Sequence, residues 1–264
     1  MKFAVTTFAT QPELSPEEVI PRLGGLGYDG VEIWGRQLDG LSDDEVLALR
    51  SVVVNHGLVV CATSPYFDFI QGPERWGRSL HDSRTVCHQA RLLSASILRY
   101  REVDFVSSAD MNKGQWAACL DGLKALCGLA APDLIVGIEC HVNLPQDTVE
   151  NILMMIDRVD APNLKVIFQP DMYPPSEVPA AFDALYPHTA HVHVGNVQKG
   201  GGTDANGFPL RTHLGDPEGE YDFCWLLKEL DRRNYEGFVT VEALTPPKQQ
   251  NLGAELDFLR KSRA

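Results

Sequence analysis

A chain of 264 residues, 44% of them hydrophobic, is long enough for one large α/β domain spanning residues 1–264 around a substantial core. Its formal net charge of -13 disfavours capture of nucleic acid or of an anionic membrane surface, and leaves room only for a local basic pocket. Six cysteines without a CxxC pair, and no apolar stretch near the roughly 20 residues that span a bilayer, lead us to expect reduced, mostly buried thiols in a cytoplasmic protein.

Strand and helix signals alternate along the chain. The opening MKFAVTTFATQPELS runs from a strand over 3–8 straight into a helix start, without the longer apolar region and cleavage site of a signal peptide. Ser15-Pro16-Glu17-Glu18 supplies a cap, a first-turn proline and early acids. GVEIW at 30–34 reads as the second strand. A helix follows from Ser42-Asp43-Asp44-Glu45, with its stop at Asn55-His56-Gly57. LVVCAT at 58–63 is the third strand, the amphipathic stretch 78–95 a helix and ILRYR at 97–101 the fourth strand. A helix over 112–129 leads to a strand at 134–140, and a helix over 147–159 to a strand at 164–169. A short helix at 176–185 precedes the strand 189–194, a helix at 221–233 precedes the strand 238–243, and a last helix covers 253–261. Eight βα units match a (β/α)8 TIM barrel. The alternative, a doubly wound sheet, usually carries a glycine-rich fingerprint after the first strand, and TTFATQPE has none.

Four strand-like runs end on a metal-type ligand: Glu139 in LIVGIECH, Asp171 in LKVIFQPD, His193 in TAHVHVGN and Glu242 in GFVTVEAL. A lone Glu at a strand end is more often solvated, and a strand histidine more often a hydrogen-bonded structural group. Four such residues on successive strands of a barrel, whose C-terminal strand ends open onto one face, instead point to a metal or catalytic cluster. Alternation puts Gly137, Glu139 and His141 on one face, as it does His191 with His193, Thr240 with Glu242, and Glu32 with Trp34. Three carboxylates and one imidazole suit Mn2+ or Mg2+, with Co2+, Fe2+ or Zn2+ as further options. The segment from Gly195 to Glu220, with Lys199-Gly200-Gly201-Gly202 and Asp204-Ala205-Asn206-Gly207, is too long for a simple connection and reads as a substrate-covering loop.

GYDGVEIW (27–34), VGIECH (136–141), the Asp171 strand end, AHVHVGN (190–196), LGDPEGEYDF (214–223) and YEGFVTVEAL (235–244) together resemble the xylose isomerase-like barrel superfamily of sugar isomerases and epimerases. That group includes ketose 3-epimerases, hydroxypyruvate isomerases, inosose dehydratases and apurinic endonucleases. The resemblance implies one divalent cation on Glu139, Asp171, His193 and Glu242, with His141 and His191 lining the pocket as contacts either to those ligands or to the substrate, and Glu32 and Trp34 at its far wall. It implies a small sugar-like substrate and, by analogy, a dimer or tetramer. Two departures bear on the substrate: the position three after Asp171, often His in relatives, is Pro174, and the loop carries Lys199 and Arg211 in a glycine-rich setting.

The expected reaction is isomerisation or epimerisation of a hydroxy-carbonyl compound. The cation polarises the carbonyl, and Glu139 and Glu242 move the α-proton through an enediolate. A dehydratase of a cyclic polyol or keto acid is the alternative. Abasic-site cleavage is disfavoured by the acidic surface, and a barrel kept only as a binding module would need no cation. Tyr66, Phe67 and Trp76 are candidates for stacking on a sugar. Arg99 and Arg101 are read first as ion-pair partners within the barrel, Arg211 and Lys199 as anion contacts from the loop, and His213 as a solvated loop residue.

Overall fold

The computed structural model of the chain describes residues 1–11, 13–203, 209–245 and 248–262. Barrel strands alternate with helices: β1 (Lys2–Thr6), α1 (Pro16–Leu26), β2 (Gly30–Trp34), α2 (Asp43–Asn55), β3 (Val59–Ser64), α3 (Pro73–Leu92), β4 (Ile97–Tyr100) and α4 (Lys113–Ala130). The series continues with β5 (Ile135–Glu139), α5 (Val149–Val159), β6 (Leu164–Phe168), α6 (Val178–Leu185) and β7 (Thr189–Val194). A two-stranded insert, β8 (Asn196–Val197) with β9 (Arg211–Thr212), precedes α7 (Phe223–Arg232), β10 (Phe238–Val241) and α8 (Lys248–Lys261). The eight long strands close in the order β1-β10-β7-β6-β5-β4-β3-β2, all neighbours parallel. This is the expected TIM barrel, and the doubly wound alternative is set aside by the β1–β10 pairing that closes it.

Boundaries differ from the reading where local chemistry overrode pattern. The first strand stops at Thr6 because Ala9 N already donates to Thr6 O at 3.0 Å, turning the chain before Phe8. α3 starts at Pro73, directly after Gly72 at φ +94°, whereas its polar first turns hid that start and periodicity placed it at 78. Reciprocal capping boxes open α2 (Ser42, Glu45) and α4 (Asn112, Gln115), as the acid- and amide-rich starts suggest.

The strands bury two sets of side chains. The outward set, including Val31, Ile33, Leu98, Val136, Ile138, Val166, Phe168, Val192, Val239 and Val241, packs under the helices in one continuous core. At about 1.5–3 kcal/mol per buried large aliphatic side chain, this layer is the main stabilising contribution. The inward set starts with a small apolar plug of Ala62, Ile97 and Ile167, flanked by Ile135 and Ala190. Gly137 is required there, since a Cβ would sit 2.6 Å from Ile167 Cγ1. Above the plug the inward positions turn polar, and that layer is the candidate site. Among the described residues no helix is long and apolar enough to cross a membrane.

Candidate active site

Three of the four expected ligands meet at the mouth. Glu139 from β5, His193 from β7 and Glu242 just past β10 place ligand atoms within 4.8 Å of one another. His193 Nδ1 is 3.3 Å from Glu139 Oε1 and 3.9 Å from Glu242 Oε1. Adjacent ligands of one octahedral ion at about 2.1 Å lie about 3 Å apart, so this spacing accepts a cation with little movement. Asp171, in a tight turn after β6, stands beside the group with its Oδ2 held by Arg211 Nη1 at 2.6 Å. His193 Nδ1, Glu139 Oε2 and Asp171 Oδ1 are all buried and make no aligned hydrogen bond among the described residues. Buried polar atoms are normally satisfied; His193 Nδ1 and Asp171 Oδ1 lack such a bond and Glu139 Oε2 has only its ion pair with Arg101 Nε at 3.2 Å, and a bound cation would supply the missing partner. The donor set of carboxylates and one imidazole therefore fits a hard divalent ion.

The two glutamates differ in their surroundings. Glu139 is wholly buried, with Arg99 Nη1 at 2.8 Å from Oε1 and Arg101 Nε at 3.2 Å from Oε2. Burial pushes its carboxyl up, but Arg99, His193 and Arg101 overcome that and hold it well below the usual carboxylate range. Glu242 keeps 17% of its side chain exposed and accepts from Gln169 Nε2. Its enclosure, opposed by His193 and reinforced by the carboxylates of Glu139 and Asp171, pushes its pKa up to about 6.

Glu32 and His191 form no open wall. Glu32 is 1% exposed and lies under the ligand group, where its Oε2 is 3.0 Å from His193 Nε2 and 3.2 Å from His191 Nε2. Ser64 Oγ donates to its other oxygen, and Thr240 Oγ1 is 2.9 Å from His191 Nε2. Burial opposes ionisation of Glu32, yet the two histidines draw its carboxyl well below the ordinary value. Burial, helped by the charge of His193, lowers the pKa of His191 despite Glu32, and burial together with Glu32 raises that of the nearby Cys61 thiol. Glu32, Cys61 and His191 also lie within ligand distance of one another, but the thiol donates to Val31 O at 3.3 Å and the carboxylate is occupied, so this cluster is closed by its own bonds.

The strand 1–4 side of the mouth is aromatic and cationic. Trp34 Nε1 donates to Tyr66 OH at 3.2 Å, and Phe8 meets Trp34 edge-on at 5.3 Å. Arg99 and Arg101 lie 5.0 and 5.3 Å from the centroid of the Tyr66 ring, and Arg101 is backed by Phe105 at 5.0 Å. His141 Nδ1 donates to Val142 O at 2.8 Å, which leaves Nε2 to accept from Arg101 Nη2 at 3.2 Å. Burial lowers the pKa of His141, so it faces the pocket as neutral imidazole.

Other expected positions fall outside this group. Trp76 donates to Ala118 O between α3 and α4, and Phe67 stacks on Phe69 and Tyr100 in the core. Neither reaches the mouth, because both follow the chain outward from β3 to the helical layer. His213 is 43% exposed and pairs with Glu255 Oε1 at 2.9 Å, anchoring the insert to α8. Lys199 is exposed at the turn of the insert. Asp204-Ala205-Asn206-Gly207 lies outside the described residues. Gln169 and Ser64 were not anticipated, although both sit in the inward register, two residues beyond Ile167 and Ala62. Five cysteines are buried and Cys224 is exposed, all of them free thiols.

The family model for the xylose isomerase-like TIM barrel matches residues 22–262. The chain belongs to that family. A 3-dehydroshikimate dehydratase of Bacillus anthracis is 23% identical over 213 residues, covering 75% of this chain and 72% of that protein. The solved structure of a probable 3-DHS dehydratase from Bacillus anthracis superposes with a TM-score of 0.84 at 20% identity, covering 98% of this chain and 99% of the other. D-Psicose 3-epimerase of Clostridium cellulolyticum H10 gives 0.77 at 15% identity over 100% and 99%, and 3-keto-D-glucoside 4-epimerase of E. coli gives 0.76 at 18% over 99% and 99%. At these identities the likenesses establish the fold, and the named relatives are enzymes.

Proposed function

We propose that this barrel is a divalent-cation-dependent dehydratase of a small hydroxy-keto acid, acting by proton abstraction α to a carbonyl. The observation that carries the reading is the asymmetry of the two glutamates. Glu242 alone of the pair opens to the pocket, while Glu139 is enclosed by Arg99, Arg101 and His193. A cation held by Glu139, Asp171, His193 and Glu242, with Mn2+ or Mg2+ suited to that donor set, supplies Lewis-acid polarisation of the carbonyl. Glu242 takes the α-proton, its raised pKa bringing it closer to a base matched to neutral pH. The same carboxylic acid then delivers that proton to the departing β-hydroxyl, so water leaves and the carbon–carbon double bond forms without a second base. Arg101, oriented by His141 and held between Tyr66 and Phe105, faces the pocket as the carboxylate contact. Tyr66 and Trp34 give the ring-shaped part of the substrate a face to stack on, and Arg211 supplies a second cationic contact from the insert.

Isomerisation or epimerisation is the second reading, favoured by the closeness of Glu139 and Glu242 oxygens across β5 and β10. Both readings share the first proton transfer, and product mass separates them. The test is a panel of 3-dehydroshikimate, other hydroxy-keto acids and ketoses with Mn2+-loaded and chelator-stripped protein. The proposal expects loss of one water from an acid of the panel, only with the cation present. Turnover confined to neutral ketoses without mass change would overturn it in favour of the second reading.

A further inference from the structure

Glu32 reaches no open surface, yet three donors converge on it. Its Oε1 accepts from Ser64, and its Oε2 lies 3.2 Å from His191 Nε2 and 3.0 Å from His193 Nε2. The donors come from two strands, β3 (Ser64) and β7 (His191 and His193), so the carboxylate on β2 cannot turn without breaking several of these contacts. The two imidazoles stand almost perpendicular, at 83° with centroids 5.3 Å apart. The other nitrogen of His193 points the opposite way, toward Glu139 and Glu242, and has no aligned hydrogen bond.

A neutral imidazole carries its single proton on one nitrogen, and a buried acceptor decides which. We propose that Glu32 is a positioning residue for the cation: by accepting the Nε2 proton of His193 it leaves the Nδ1 lone pair directed between Glu139 and Glu242. The hold on His191 through the same oxygen, with Thr240 Oγ1 2.9 Å from the same His191 nitrogen, keeps the carboxylate from following His193 if the ring swings. Without Glu32, the Nε2–H would have no acceptor and the ring would be free to rotate or to protonate Nδ1. Removing such a partner from a ligating histidine generally weakens metal binding by about 10–100-fold. This inference rests on the cation reading above but needs no substrate. It also differs from a purely structural role, in which Glu32 would satisfy buried histidines without affecting the ligand group.

The experiment measures Mn2+ affinity by chelator competition for the wild type, Glu32→Gln and Glu102→Gln, with 15N-histidine spectra of the Zn2+-loaded wild type. Glu102 is a comparably buried carboxylate that touches no ligand candidate, so it controls for general loosening of the barrel. The expected results are about 10–100-fold weaker Mn2+ binding by Glu32→Gln, unchanged binding by Glu102→Gln, and a proton on Nε2 of His193. A folded Glu32→Gln protein that binds Mn2+ within about threefold of wild type overturns the inference, as does a proton on Nδ1 of loaded wild type. If Glu32→Gln fails to fold, the wild-type spectrum decides alone. A wild type that takes up no Mn2+ or Zn2+ overturns the cation reading and this inference with it, an outcome distinct from the variant behaving normally.

Discussion

Identical side chains acquire different chemistry from their neighbours, and carboxylates show this most clearly here. Glu102, two residues past β4, is fully buried, accepting from Tyr100 OH at 2.6 Å and from Phe69 N at 3.1 Å. Burial outweighs those bonds and pushes its pKa up to about 7, against 4.5 for a free glutamate. The folded state thus holds this proton more tightly than the unfolded one. The stabilisation is fully present below pH 4.5 and is lost as pH rises through about 7, a loss of about 3 kcal/mol. Glu102→Gln should flatten that part of the stability profile between pH 5 and pH 8, read as denaturant midpoints of variant and wild type; parallel profiles would exclude the effect. Arg101→Lys should raise KM for a carboxylate substrate by about tenfold, because a lysine cannot hold the guanidinium fork between Glu139 and His141. Steady-state kinetics on acid and neutral substrates would show whether the loss is confined to the acid. Alternation made Glu139, His193 and Glu242 legible from sequence, since it assigns faces. It does not assign depth along the barrel, so Glu32 reads as far wall and His191 as a contact of either ligands or substrate, although both lie beneath the ligand group. Ser64 and Gln169 escaped notice because a hydroxyl or amide at a strand end has no distinguishing pattern until its partner across the barrel is known.

At the level of elements, strand order and the βα rhythm were readable because each strand is a compact apolar run bounded by caps. What sequence could not show is how closely elements approach. Gly122 on α4 lies against Phe69, where a Cβ would be 2.3 Å from the ring carbon Cγ. Gly122→Ala should cost about 1–3 kcal/mol through displacement of that ring. The melting temperature would fall by several degrees while Mn2+ affinity stays unchanged; an unchanged melting temperature would mean the contact relaxes freely. The long segment after β7 was recognisable as a loop by its glycines. Its pairing of Asn196–Val197 with Arg211–Thr212 was not, because two-residue strands leave no periodicity. That pairing delivers Arg211 to Asp171, which sits outside the three-residue ligand group while its Oδ2 is held by the arginine.

Over the whole molecule, a chain of net charge -13 gathers Arg99, Arg101 and Arg211 at one mouth, beside the acidic ligand group. The arginines offset the charge of the carboxylates, and under the proposed function they would become available to an anionic substrate once a cation takes over that role. Cation binding should therefore stabilise the fold. At 100 times its Kd, Mn2+ adds about 2.7 kcal/mol, which corresponds to roughly 5–10 °C in Tm for a domain of this size. Differential scanning fluorimetry would read that shift, and His193→Ala should abolish it. The most direct test of the account is solvent exchange of the α-proton. Mn2+-loaded protein in deuterium oxide should exchange or eliminate that proton from 3-dehydroshikimate or another hydroxy-keto acid of the panel, and Glu242→Gln should slow the step by about 10²–10⁴-fold with Mn2+ still bound. Exchange at the wild-type rate in folded, loaded Glu242→Gln, or no exchange by the wild type on any acid of the panel, would contradict it.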